Sequence, residues 1–197
     1  MKRLFDFIAS SFGLILLTPI FVLVALWIKL DSRGAIFFRQ ERVGFQGDLF
    51  RIHKFRTMVF DAEKKGKHIT VGADLRITTI GRFLRKYKLD ELPQLIDVLV
   101  GDMSLVGPRP EVPKYIDYYS DDEKHAVLSV KPGITDNASI EFRGENELLA
   151  SAKDPEAAYI NEVLPKKIAL YRKYVRERSF FGDVAIIFKT IFLIIKK

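Results

Sequence analysis

The chain has 197 residues, 48% of them hydrophobic, with 32 lysines and arginines against 25 aspartates and glutamates, a formal charge of +7 at pH 7. That length and apolar content fit one domain with a real core and exclude a disordered chain. The charge favours an anionic partner, for which nucleic acid, an acidic leaflet and a diphosphate all qualify. There is no cysteine, which excludes disulfides, thiolate metal sites and cysteine nucleophiles. His53, His68 and His125 stand too far apart for a metal-ligand pattern and read as surface or core residues.

From Phe7 to Ile28 no residue is charged. As a straight helix this stretch is about 33 Å long at ~1.5 Å per residue, enough for a ~30 Å hydrocarbon core. It is too long for a signal-peptide core and has no small-residue cleavage site before Asp31. Pro19 lies near its middle, removing a backbone donor and leaving the Ile15 carbonyl without its helical partner, while Ser10, Ser11 and Thr18 offer hydroxyls in compensation. Lys2 and Arg3 precede the stretch and Lys29 and Arg33 follow it, whereas a spanning helix is basic toward one side. The residues leave two topologies open: a proline-kinked crossing, and a helix that enters, bends and returns to the same face.

Further along, Ile36–Glu41 and Leu49–His53 read as strands joined through Gly44 and Gly47, a β-hairpin. Residues 61–68 are polar, an exposed helix or loop. Ile77–Lys86 carries Ile80, Phe83 and Leu84 at helical spacing, and Leu89, Leu92, Leu95, Ile96 and Leu99 form a second apolar stripe. Gly101–Pro110, with Gly107, Pro108 and Pro110, reads as a loop. Helical patterns return over 121–130, 146–152 and 157–175. The last segment, Asp183–Lys197, is apolar nearly all round with Lys189, Lys196 and Lys197 as its cations, and reads as a helix lying in a membrane interface rather than a core helix.

Chemistry concentrates in Arg85-Lys86-Tyr87-Lys88-Leu89-Asp90-Glu91-Leu92-Pro93-Gln94-Leu95. Pro93 fits a helix only in its first turn, which places Asp90 near the N-cap and Glu91 in that turn. Backbone N–H groups and the upstream cations then favour an ionised carboxylate and a bound phosphate. A carboxylate so placed is a competent nucleophile toward phosphorus, although an ordinary capped helix with an acidic first turn explains the same residues.

Four segments occur in order: Lys54-Phe55-Arg56-Thr57-Met58, Leu89 to Leu95, Gly101-Asp102-Met103-Ser104-Leu105-Val106-Gly107-Pro108-Arg109-Pro110, and Lys131-Pro132-Gly133-Ile134-Thr135. This ordered set closely resembles the small monotopic phosphoglycosyl transferases of bacterial glycoconjugate assembly, over nearly the whole chain. The resemblance is to the form without extra spanning helices or a fused sugar-modifying domain. It implies an α+β, mainly helical fold with a re-entrant membrane helix over 1–30, bent at Thr18-Pro19, and one cytoplasmic catalytic domain over 31–197. That domain would hold a small β-hairpin, catalytic helices and interfacial helices on one membrane face, the cytoplasmic face of the bacterial inner membrane.

The resemblance further implies transfer of a phosphosugar from a UDP-sugar to undecaprenyl phosphate through an intermediate on Asp90, with release of UMP. Glu91 is the dyad partner, and Mg²⁺ is expected at Asp90. Lys54, Arg56, Arg85, Arg109 and Arg143 match basic family positions expected to bind substrate, and Asp183 matches an acidic one. Membrane lipids are expected partners and a homodimer is compatible with the pattern. Nucleic acid is not expected, because no groove-reading motif is present. A membrane-attached scaffold without catalysis is the alternative. After Ile134-Thr135 the chain reads Asp136-Asn137-Ala138-Ser139-Ile140-Glu141-Phe142-Arg143, where family members continue with Gly-Leu-Ala-Gln and then Asn-Gly-Arg. The arginine stays in register, and the change leaves the donor sugar open.

Overall fold

The computed structural model describes residues 1–62 and 74–196, so most of the polar stretch 61–68, including His68, falls outside the described residues. The expected mainly helical α+β architecture is present, with short strands and one long apolar helix at the N-terminus. Helix α1 runs over Lys2–Asp31 with Pro19 inside it. Its length is about 45 Å at ~1.5 Å per residue. The Thr18 hydroxyl donates to the Leu14 carbonyl at 2.7 Å and the Ser11 hydroxyl to the Phe7 carbonyl at 2.8 Å, so these hydroxyls bond within the helix and do not take the Ile15 carbonyl that Pro19 leaves without its helical partner. By length and composition α1 could cross a membrane. Phe7, Phe12, Ile15, Leu16, Leu23 and Leu26 on it are exposed, while Asp6, Ser10, Val24 and Ile28 are buried against the rest of the chain.

Strands β1 (Phe37–Val43) and β2 (Leu49–Phe55) form the expected antiparallel hairpin, each two residues longer at its C-terminal end than the sequence pattern suggests. Their register pairs Phe37 with Phe55 and Val43 with Leu49. Helix α2 (Thr79–Lys86) starts at Thr78, whose hydroxyl accepts from Gly81 N–H at 3.0 Å. Gly81 itself lies against β2's continuation: a Cβ there would sit 2.0 Å from the Thr57 carbonyl oxygen, so the helix can dock this closely only without a side chain. Val24, Ile28, Phe55, Ile80 and Leu84 form the core between α1, β2 and α2.

Lys88 adopts left-handed backbone (φ 57°) and launches a 3₁₀ turn over Leu89–Glu91, followed by Pro93 and helix α3 (Gln94–Val100), which ends at Gly101 with φ 102°. The stretch expected to be one capped helix is therefore a tight turn and a short helix, and the cap position belongs to Lys88, not Asp90. A second correction concerns the loop 101–110. It contains strand β3 (Ser104–Val106), paired in parallel with β4 (Gly133–Thr135) through Ser104↔Gly133 and Val106↔Thr135. Gly133, within the pairing, and Gly107, just after β3, let the two segments touch, since a Cβ at Gly133 would lie 2.1 Å from the Gly107 nitrogen. This contact sets the course of Pro108-Arg109-Pro110.

The remaining helices are α4 (Pro113–Ile116), α5 (Asp121–Val127), α6 (Asn137–Glu141), α7 (Glu145–Ala150), α8 (Pro155–Ala158), α9 (Leu164–Glu177) and α10 (Phe180–Ile195), with a π turn over Tyr159–Val163 leading into α9. A capping box at Ser120 and Glu123 starts α5. Tyr115, Tyr119, Val127, Leu149, Val163, Leu164, Ile168 and Tyr171 make the second large core. Helix α10 packs Ile186 against Val106 and Tyr174 and exposes Phe181, Phe188, Ile191, Phe192 and Ile195.

Both ends of α1 are fastened to the body of the chain. At its start, the Lys2 ammonium pairs with Asp183 and donates to the Val106 carbonyl at 3.0 Å. Asp6 accepts from the Ser104 hydroxyl at 2.8 Å and the Leu105 N–H at 3.2 Å. At its end, the Arg56 guanidinium donates to the carbonyls of Ser32 (2.7 Å) and Arg33, and Asp31 accepts from Ile80 N–H at 3.3 Å.

Candidate active site

The 3₁₀ turn presents Asp90 and Glu91 side by side toward β2 and the 107–110 segment. Glu91 is held by two cations. Lys54, from β2, donates to Glu91 Oε1 at 2.8 Å. Arg109 grips the same carboxylate in the two-pronged fashion that suits guanidinium, with Nη1 to Oε2 at 3.2 Å and Nη2 to Oε1. Burial works against an ionised Glu91, but Arg109 and Lys54 outweigh it and hold the carboxyl well below its ordinary range. In return Glu91 raises the Arg109 guanidinium. Burial pushes the Lys54 ammonium down to about 8 despite its carboxylate partner.

Asp90 is in the opposite state. It is buried, only 9% exposed, and its Oδ1 has no hydrogen-bond partner. Burial first, and the neighbouring Glu91 charge second, raise its carboxyl above the ordinary aspartate value, while Lys54, Lys88 and Arg85 pull the other way. An aspartate serving as a helix cap would accept from a backbone N–H; this one does not, which removes the capping explanation of the motif. Two adjacent carboxylates thus have divergent environments, one saturated by cations and one left with a free oxygen, a pattern typical of sites where one group reacts and the other organises.

Arg85 reaches this neighbourhood from the last turn of α2. Its Nε donates to the Thr57 hydroxyl at 2.8 Å, and Asp90 is the largest of the charges that favour its ionised form against burial. Of the other residues expected to bind substrate, Arg56 is spent on the end of α1 as described. Arg143 is exposed, with Nη1 donating to the Leu193 carbonyl at 3.3 Å. Asp183 is buried and accepts from Lys2 and from the Tyr174 hydroxyl at 2.9 Å. None of these three bonds to the Asp90–Glu91 turn.

Residues the motifs did not single out also surround the site. Arg42, on β1, donates to the Pro110 carbonyl at 3.1 Å and to Gln40 at 2.6 Å, and pairs with Glu111 at 3.7 Å. Tyr159 donates to the same Glu111 at 2.6 Å, completing a buried frame behind Arg109. Asp136, first residue of the divergent stretch, caps α6 through Ser139 N–H at 2.9 Å and lies within electrostatic reach of Arg109. A lone arginine in a strand carries no sequence signal for such a role. The Asp136 side chain is flagged only as a departure from the family pattern. Behind the dyad, Asp97 accepts from the His53 N–H at 2.8 Å and pairs with its Nδ1 at 2.5 Å, fastening α3 to β2. Among the described residues no three histidine or acidic side chains converge as a ready-made metal cage.

A family model described as bacterial sugar transferase matches residues 1–197. An undecaprenyl-phosphate glucose phosphotransferase from Komagataeibacter xylinus is 42% identical over 197 residues, covering 96% of this chain and 35% of its own length. A UDP-glucose:undecaprenyl-phosphate glucose-1-phosphate transferase from Caulobacter vibrioides is 37% identical, covering 96% of this chain and 68% of that protein. A UDP-N-acetylgalactosamine-undecaprenyl-phosphate N-acetylgalactosaminephosphotransferase from Aeromonas hydrophila is 36% identical, covering 97% and 43% respectively. The chain thus spans less than half the length of several curated relatives it matches.

Proposed function

The chain belongs to the bacterial sugar transferase family, and on that footing we propose that it moves a sugar phosphate from a UDP-sugar to undecaprenyl phosphate with Asp90 as the nucleophile. The observation that carries this reading is the contrast within the dyad: a buried Asp90 with an unpartnered oxygen beside a Glu91 bridged by two cations. A carboxylate oxygen of Asp90 attacks the phosphorus that bears the sugar. The bond from that phosphorus to UMP breaks, and its electron pair leaves with UMP, giving an acyl phosphate that carries the sugar. A phosphate oxygen of undecaprenyl phosphate then attacks the same phosphorus. The bond to Asp90 breaks, restoring the carboxylate and yielding the lipid-linked diphosphate sugar.

Glu91, fully engaged, acts as a positioning residue that aims Lys54 and Arg109; both cations, with Arg85, face an incoming diphosphate and offer it charge-assisted hydrogen bonds. The free, hard oxygen at Asp90 fits Mg²⁺, which takes one or two carboxylates and completes its shell with substrate phosphate oxygens and water. Bound there, Mg²⁺ would neutralise diphosphate charge and ease departure of UMP. The donor is a UDP-sugar in relatives that differ among themselves in the sugar named, so the sugar is left to experiment.

The same reading puts the chain on the cytoplasmic face of the inner membrane as a monotopic protein, with α1 re-entrant and α10 in the interface. Its support is that Lys2 and Asp6 at one end of α1, and Asp31 and the carbonyls bound by Arg56 at the other, grip the same folded body. A crossing helix would separate those ends by a ~30 Å hydrocarbon core. Tags placed before Lys2 and after Lys196 are expected to be accessible from the cytoplasmic side only; labelling from opposite sides would sink the re-entrant helix.

The activity itself is tested by measuring UMP released from a panel of UDP-sugars with undecaprenyl phosphate. Release from at least one of them, dependent on Mg²⁺, is expected. Membrane association with no UMP from any UDP-sugar would favour a scaffold role.

A further inference from the structure

Glu91, Gln94 and Asp97, at spacings of three, form one stripe of the 89–100 segment, with Val98 beside it. Its ends are accounted for. Glu91 meets Lys54 and Asp97 meets His53, both on β2, while Val98 packs in one cluster with Ile52 and Met103. Gln94 lies between them, 1% exposed, and its Nε2 has no hydrogen-bond partner. Native structures pair nearly all buried donors, and an orphan calls for a specific explanation such as a ligand or a catalytic role. At this exposure bulk solvent does not reach the side chain.

The position supplies it. Gln94 follows Asp90 by four residues, across the 3₁₀ turn and then Leu92 and Pro93, both of right-handed helical backbone (φ −56° and −61°), a spacing that keeps the two side chains near one side of the stretch. The buried atoms without partners in this part of the chain are therefore a pair: an acceptor, Asp90 Oδ1, and four residues on a donor, Gln94 Nε2. Four atoms in all are orphaned among the described residues, and the other two are Nε atoms of Arg42 and Arg56, whose guanidinium ends are bonded elsewhere. A tetrahedral phosphoryl group seated on Asp90 meets both needs at once. Its phosphorus bonds to the carboxylate, and a non-bridging oxygen accepts from the amide.

We propose that the Gln94 side-chain amide contacts the transferring phosphoryl group, donating from Nε2 to a non-bridging oxygen as the bond to Asp90 forms. The inference rests on the reading of Asp90 as nucleophile. It adds a neutral donor to a site whose known donors are all cations. An amide fixed in a buried stripe orients the phosphoryl group without binding the diphosphate ground state as strongly as a charge does, so its effect falls on the chemical step.

The test compares Gln94→Met, which keeps the length and removes the donor, with Gln94→Glu, which keeps the shape and replaces the donor by an acceptor. UMP release is followed from a UDP-sugar that the unsubstituted protein turns over, chosen from the full panel. Gln94→Met is expected to lower kcat about 10²-fold, the scale of one lost transition-state donor, with KM changed far less. Its melting temperature should equal or exceed that of the unsubstituted protein, because the variant no longer buries an unpaired amide. Gln94→Glu should be at least as slow, since a carboxylate opposes the phosphoryl charge, and it supplies the answer if the methionine variant fails to fold. Wild-type kcat in either folded variant, within twofold, would overturn the proposal. Failure of the nucleophile reading has a different signature: Asp90→Asn would retain turnover, or the unsubstituted protein would release no UMP, and the Gln94 inference would fall with it.

Discussion

Replacing Asp90 by Asn is expected to cut UMP release by roughly 10⁴-fold or more, the scale on which loss of a nucleophile acts, while leaving the melting temperature unchanged or higher. The two halves of this expectation come from the same geometry. Asn has the shape of Asp but cannot form an acyl phosphate, so the covalent route ends. The stability half follows from the raised carboxyl: burial and the Glu91 charge both disfavour the ionised form. A carboxyl whose folded-state pKa lies above its unfolded value destabilises the fold once the pH exceeds that unfolded value. A neutral amide relieves the burden across the neutral range. UMP release and thermal unfolding on the same preparation check the two halves together. Activity and melting temperature falling in parallel would mean that Asp90 serves the fold.

Glu91→Ala should behave in the opposite way. It deletes the shared partner of Lys54 and Arg109, whose side chains are only 15% and 28% exposed, and leaves two cations facing each other in a buried site. Breaking a buried pair from one side costs about 3–5 kcal/mol. For a chain of this size that corresponds to roughly 6–20 °C in melting temperature, at about 2–4 °C per kcal/mol. Activity should collapse as well, because the cations lose the group that aims them. Combining Glu91→Ala with Lys54→Met should recover part of the stability, though none of the activity, since one stranded charge is removed. A single variant as stable as the unsubstituted protein would contradict the bridged arrangement. The dyad residues thus separate by experiment: one change spares the fold and stops chemistry, the other damages both.

Much of this site was legible in the sequence, and the illegible parts have physical reasons. Asp90, Glu91, Lys54, Arg85 and Arg109 stand in motifs whose order is itself informative, and the structure gathers all five into one neighbourhood. The hairpin was readable from two apolar runs flanking glycines. Strands β3 and β4 were not. Each is three residues long, and their pairing is decided by contacts between residues 29 positions apart, Ser104 with Gly133, which no local pattern records. Pro93 pointed to a helix start in the right place but misplaced the cap, because the turn is launched by Lys88 in a left-handed conformation, unusual for a lysine. The roles of Arg56 and Asp183 were hidden for a related reason. Their partners are the two ends of α1, distant in sequence and recognisable only after the chain has folded back on that helix. Gln94 sat in plain view within the motif, but an orphaned donor becomes visible only when burial is known.

A covalent phosphosugar on Asp90 is detected by intact-protein mass spectrometry after incubation with Mg²⁺ and a UDP-sugar that supports UMP release, in the absence of lipid acceptor. The expected result is a mass gain of one sugar phosphate less water, mapped by fragmentation to the peptide containing Asp90, lost on addition of undecaprenyl phosphate and absent from Asp90→Asn. Turnover in the complete reaction without any such adduct, or an adduct that persists in Asp90→Asn, would contradict it.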